Sequence, residues 1–147
     1  MSEPAGGYHG LFPTRWNDND QYAHVNNAVY YEAMDTTINT WLITVGGLRP
    51  VGSSEIAVCV SSACEYRAPI SFPDVMRVGL RAGRVGSSSV TWELEIHRVP
   101  GAEETAGAGD EPAAVGRFVH VFVDAESRRP VPIPPDLRAA IERDLLV

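Results

Sequence analysis

The stretch Asn27–Val45, NAVYYEAMDTTINTWLITV, decides how the rest of the chain is read. Its apolar residues Tyr30, Met34, Ile38, Trp41 and Val45 recur in steps of four, four, three and four, the spacing of one face of an α-helix. Asn26 or Asn27 can cap the N-terminus with a side-chain oxygen, and Gly46-Gly47 can end the helix. A helix with one apolar stripe needs a partner surface, and the sequence on either side supplies strands. Downstream the period changes to two. Ile56, Val58, Val60, Ser62, Cys64 and Tyr66 fall on one face of a first strand. Met76, Val78, Leu80 and Ala82 fall on one face of a second, with Arg77, Gly79 and Arg81 opposite. Val90, Trp92, Leu94 and Ile96 mark a third, with Glu93, Glu95 and His97 outward. Val115, Val119, Val121 and Val123 mark a fourth, with Phe118 and Phe122 opposite, an apolar surface from which an oligomer is expected. Gly86-Ser87 reads as a short turn between the second and third of these, so antiparallel hairpins are expected. Upstream, Tyr8–Arg15 reads as one more strand. Pro134-Pro135 opens a short terminal helix with Leu137, Ile141 and Leu145 on one side. The expected class is α+β: a five-stranded antiparallel sheet wrapped around one long helix, with a short C-terminal helix, residues 1–147 forming one domain.

Composition narrows what such a domain does. The 147 residues are 44% hydrophobic and 21% charged, an ordinary globular mix. A net charge of -7 argues against nucleic acid and anionic membrane as partners. All twelve basic residues are arginines. Residues 1–8 have neither a basic region nor an apolar run, and no stretch approaches the roughly 20 apolar residues of a membrane helix. A cytoplasmic location is the resulting expectation. Cys59 and Cys64 lie five apart on the first downstream strand, which strict alternation places on opposite faces; both read as small core or interface residues. The segment from Pro100 to Pro112, rich in Gly, Ala and Glu, reads as a long mobile connection without chemistry of its own.

The densest group of reactive side chains is Asn17-Asp18-Asn19-Asp20-Gln21-Tyr22-Ala23-His24-Val25-Asn26-Asn27, immediately before the long helix. A helix N-terminus offers free backbone N–H groups and a partial positive charge, which polarise a carbonyl or hold an oxyanion. A neighbouring carboxylate can attack that carbonyl or activate water. The competing explanation is local: Asp and Asn are common in turns and caps because they hydrogen-bond nearby backbone. A calcium loop fails for want of its glycine and its later glutamate. A metal held by Asp18, Asp20 and His24 has no second His or Cys cluster in support, so no metal is expected. There is no Gly-x-Ser-x-Gly elbow, phosphate-binding loop or dinucleotide fingerprint. His9, His97 and His120 are isolated and read as surface or packing residues.

The run Arg15–Asn27 resembles the signature of hot-dog acyl-CoA thioesterases of the 4-hydroxybenzoyl-CoA thioesterase type, roughly aromatic-x-D-x-D-x-x-G-H-V-N-N followed by a helix with an early tyrosine, here Tyr30. Tyr66-Arg67-Ala68-Pro69 with Asp74, and Asp124 with Arg129-Pro130-Val131-Pro132-Ile133-Pro134, resemble two further family segments. The likeness extends over about Leu11–Leu145. It implies a sheet wrapped around the helix, homodimers or homotetramers with interfacial active sites, and hydrolysis of an acyl-CoA substrate without a further cofactor. Carried over by position, it makes Asp20 the catalytic carboxylate, as nucleophile or general base. Asn27 becomes the residue whose backbone N–H polarises the thioester carbonyl, and His24 an organiser of the loop and a second donor. Tyr22 and Tyr30 would border the acyl group, while Arg67, Arg128 and Arg129 are candidates for the CoA phosphates. The sequence departs from the signature at Ala23, where the family has glycine. Either alanine accepts a left-handed backbone at a cost on the order of 1 kcal/mol, or the loop differs. Other readings on the same fold are acyl-carrier-protein thioester hydrolysis, acyl-thioester hydration, whose motifs are absent, and non-catalytic acyl-thioester binding.

Overall fold

A computed structural model describes residues 7–101 and 111–147. The elements are β1 (Tyr8–Pro13), a single 3-10 turn (Trp16–Asp18), α1 (Asn27–Thr44), β2 (Glu55–Tyr66), β3 (Val75–Val85), β4 (Ser89–Val99), β5 (Ala114–Asp124) and α2 (Pro135–Asp144). The five strands form one antiparallel sheet in the order β1-β3-β4-β5-β2. This is the hot-dog arrangement, with α1 lying across one face. The connection expected around Pro100–Pro112 has its middle, residues 102–110, outside the described residues.

The long helix forms as its spacing predicts. Asn26 Oδ1 accepts from Ala28 N at 2.9 Å, and Val45 N, Gly46 N and Leu48 N close the C-terminal turn around Gly47 at φ +75°. Tyr30, Met34, Ile38 and Trp41 are buried, but Val45 lies beyond the last turn and is exposed. The facing rows are Met76, Val78, Leu80 and Ala82 of β3 and Val90, Trp92, Leu94 and Ile96 of β4, all buried. Trp41 and Trp92 meet at the centre with ring centroids 6.1 Å apart. On β5, Gly116 lies under Met34, and a Cβ there would overlap the Met34 sulfur. Leu137, Ile141 and Leu145 close one end of the core as expected.

Three sequence expectations are corrected. The first strand ends at Pro13 instead of Arg15, because Thr14 turns to bond the Asp74 carbonyl through both its N–H and its hydroxyl. On β2 the pairing slips at Val60, where Cys59 opposes His120 and Ser61 opposes Val119. This bulge breaks strict alternation. Ile56 and Val58 face away from the helix, whereas Ser62, Cys64 and Tyr66 face it, and both cysteines lie on that helix side. On β5, Phe118 and Phe122 point into the core, so they are not the exposed apolar surface that would call for an oligomer. His97 lies on the outer face as expected and is packed there, only 7% exposed. His120, read as surface or packing, packs in the core edge-on to Trp92.

Candidate active site

The loop before α1 is a small hairpin. Asn19 and Val25 form a bridge, Asp20 N donates to His24 O at 2.8 Å, and Ala23 N donates to Asp20 O at 3.0 Å. Ala23 closes the turn at φ +64°, the left-handed region. The loop therefore keeps the backbone that favours glycine, and alanine accepts the strain; the alternative of a different loop is set aside.

Each flank of the hairpin is fixed from outside. Asp18 is buried, and its carboxylate accepts from Arg15 N at 2.8 Å, Arg15 Nε at 3.1 Å and Arg15 Nη2 at 2.8 Å. Burial pushes the Asp18 carboxyl up, but the Arg15 hydrogen bonds and charge together hold it below the usual range. The Asp18 carbonyl in turn accepts from Asn26 N at 2.9 Å. On the other side, Val25 N donates to Ile70 O at 2.8 Å, Ser71 Oγ to Ala23 O at 2.7 Å, and Phe72 N to Asn19 Oδ1 at 3.1 Å. That 70–74 segment is anchored by buried Asp74, which accepts from Ser71 N at 3.2 Å and Arg98 Nε at 2.8 Å. Asp18 is thus a brace, and a metal shared by Asp18, Asp20 and His24 finds no support: no group of three metal-ligating side chains exists among the described residues.

Within this frame Asp20 is half-buried. Its Oδ1 accepts from Tyr22 N at 2.8 Å, while Oδ2 has no partner among the described residues. Asn27 is the first residue of α1. The neighbouring N–H groups are engaged: Asn26 N by Asp18 O, Ala28 N by the Asn26 cap and Val29 N by Asn26 O. Asn27 N has no acceptor among the described residues and remains the open donor at the positive end of the helix. Tyr66 reaches across from β2, its hydroxyl donating to Asn27 O at 3.2 Å and its ring edge-on to Tyr30 at 5.0 Å. Burial among Tyr30, Tyr31 and Cys64 pushes the Tyr66 phenol up to about 12, so it remains a donor.

The other expected site residues are placed unevenly. His24 is exposed and holds the hairpin through its backbone carbonyl. Tyr22 projects into solvent, 72% exposed. Tyr30 is a core residue, 3% exposed, and has no open face in the single chain. Arg67 lies next to Tyr66, 3.5 Å from Glu65. Arg128 and Arg129 sit in the turn after β5, beside Glu55 at the opposite end of β2 from Tyr66, and so are not brought to Asp20 within one chain. Tyr66 and Trp16 are legible only through their motifs, and Phe72 carries no sequence signal. Trp16 and Phe72 form an exposed edge-to-face pair at 6.0 Å beside the hairpin.

Residues 14–141 match the family model described as the thioesterase-like superfamily. The chain belongs to the thioesterase-like superfamily. Among solved structures it is similar to the PA5185 protein from Pseudomonas aeruginosa strain PAO1, at 44% identity over 95% of this chain and 92% of that one, with a TM-score of 0.83. It is also similar to the PA2801 protein from Pseudomonas aeruginosa, a provisionally assigned thioesterase, at 32% identity over 90% and 96% of the two chains and a TM-score of 0.79. A 1,4-dihydroxy-2-naphthoyl-CoA thioesterase from Synechocystis shares the fold, at 18% identity over 92% and 96% of the chains and a TM-score of 0.76. A search of curated proteins finds no match. Membership and these neighbours support thioester hydrolysis as the chemistry of this superfamily member. No helix among the described residues is long and apolar enough to cross a membrane.

Proposed function

We propose that this protein hydrolyses acyl-CoA thioesters, with Asp20 as nucleophile or general base and the Asn27 N–H polarising the carbonyl. The observation that carries the reading is the pairing, in one braced hairpin, of a carboxylate with an unengaged oxygen and an unengaged helix-start N–H. A thioester carbonyl that accepts from Asn27 N develops negative charge as it is attacked, and a fixed donor at a helix start stabilises that charge without reorganising. Asp20 then either attacks the carbonyl carbon to give an acyl-enzyme anhydride, expelling CoA thiolate, or removes a proton from an attacking water. His24 shapes the loop, and no cofactor is required by this chemistry.

The proposed active unit is a homodimer or homotetramer. Among the described residues the outer edge of β2 has no neighbouring strand, and Cys59 to Ala63 are all exposed. An open edge of this length is a template for a second copy. Two β2 edges paired antiparallel about a two-fold axis would bring the Glu55 end of one to the Tyr66 end of the other. That geometry carries the Arg128-Arg129 turn of the second copy toward Asn27, next to Arg67, where the three guanidiniums would meet the CoA phosphates. Tyr22 would then border the acyl group, while Tyr30, expected there from the sequence, stays in the core behind Tyr66.

The test is release of free CoA, read with a thiol reagent, across acyl-CoAs of varied chain length and aromaticity. Turnover of at least one acyl-CoA is expected. Release from acyl-carrier-protein thioesters alone would overturn the assignment of CoA as the carrier.

A further inference from the structure

The sheet face away from α1 carries a concavity, of about 660 Å³, lined from all five strands. Its floor is Gly79. The absent side chain leaves a gap ringed by His9 on β1, Arg81 two residues along β3, and Glu95 on β4. A Cβ at Gly79 would lie 3.2 Å from the His9 ring, so the imidazole is settled over the glycine.

The charges around this floor are unequally matched. Glu93 is paired with Arg117 at 3.2 Å, Glu95 with His97 at 3.1 Å, and Glu65 with Arg67 at 3.5 Å. Arg81 has no ion-pair partner among the described residues. Both His9 ring nitrogens are buried without a hydrogen-bond partner, and so is Nδ1 of His97, a residue only 7% exposed. Buried polar atoms without partners are uncommon and cost on the order of 1–3 kcal/mol each. Here they converge on one cavity of ligand size, where Glu93 faces Arg117, Glu65 faces Arg67 and Glu95 shares a hydrogen bond with Nε2 of His97. The groups left over are the Arg81 guanidinium, the His9 ring and Nδ1 of His97, a donor set that suits an anion.

We propose that this outer face is a second binding site, separate from the Asp20 hairpin, for a small organic anion bearing a carboxylate or phosphate seated on Gly79 between Arg81, His9 and His97. It does not depend on the acyl-CoA reading, because none of these residues belongs to the hydrolytic hairpin.

The experiment is a titration of the intact protein with benzoate and, separately, with inorganic phosphate, followed through the ring resonances of His9 and His97. Saturable shifts of both histidines are expected. Arg81→Gln and His9→Gln should each weaken binding at least about tenfold, the effect of losing one charge-assisted hydrogen bond, while leaving thioester hydrolysis unchanged. The stronger of the two probes identifies whether the anionic group is carboxylate or phosphate. Two results would overturn the proposal. One is no shift with either probe. The other is shifts that follow protein concentration and not probe concentration, which would make the face a contact between copies. Use of both variants guards against one failing to fold, and either alone decides the affinity.

Discussion

Ala23 is an alanine where the backbone asks for glycine. At φ +64° it carries the left-handed strain that a Cβ imposes, and its N–H and carbonyl both hold the hairpin in place. Ala23→Gly should raise stability by about 0.5–1 kcal/mol, read as a higher denaturant midpoint, since relief of strain outweighs the extra entropy of glycine in the unfolded chain. An unchanged or lower midpoint would show that the turn is unstrained. His120 makes a second prediction at this scale. Burial beside Trp92 holds its imidazole below the ordinary value of 6.5, and the nearby Asp35 offsets only part of that. The folded protein therefore binds this proton more weakly than the unfolded chain. The associated stability is complete above pH 6.5 and is lost as pH falls from there through the folded value, with a slope of up to about 1.4 kcal/mol per pH unit. His120→Phe should flatten that part of the stability–pH curve; the same slope in the variant would assign it elsewhere. The two aspartates show where residue-level legibility stops. Asp18 and Asp20 look alike in sequence, and only the resemblance singled out Asp20. That Asp18 is locked by the Arg15 fork follows from a side-chain path that spacing does not encode.

At the scale of elements, the helix and the β3 and β4 hairpin were readable because their periods are clean and their faces have one neighbour each. Strand β2 was not, because a single bulged residue at Val60 reverses the faces on either side of it, and nothing in a run of Val, Ser, Ala and Cys marks that position. Phe118 and Phe122 were assigned to the wrong side for a related reason. A strand with valines on one face and aromatics on the other gives no local sign of which face the helix covers. The helix–sheet contact at Gly116 is testable directly. Gly116→Val should displace Met34 from a fully buried seat and cost about 1–3 kcal/mol in thermal or denaturant unfolding. A neutral result would mean that the helix slides to accommodate it. The Arg128-Arg129 turn belongs to this scale as well. Replacing both by alanine should raise KM for acyl-CoA at least about tenfold with a smaller effect on kcat, because phosphate contacts far from the carbonyl bind ground and transition states alike. An unchanged KM would remove the turn from the CoA site.

For the whole molecule, the proposed site calls for more than one chain. The hairpin, the helix start and Tyr66 come together, yet two of three candidate phosphate-binding arginines lie at the far end of the sheet, roughly 30 Å away by strand length. The proposed antiparallel pairing of two β2 edges would resolve that separation, and size-exclusion chromatography should then show a dimer or tetramer. A clean, active monomer would contradict the interfacial arrangement. No pattern in a single sequence reports an edge-to-edge contact, and the residues that point to an oligomer, Phe118 and Phe122, lie in the core instead. The measurement that bears most directly on the mechanism is the rate of CoA release by Asp20→Asn beside the unaltered protein, on the best acyl-CoA substrate, with circular dichroism on both. Loss of at least about a hundredfold in turnover with an unchanged fold is the predicted result; an undiminished rate would take Asp20 out of the reaction.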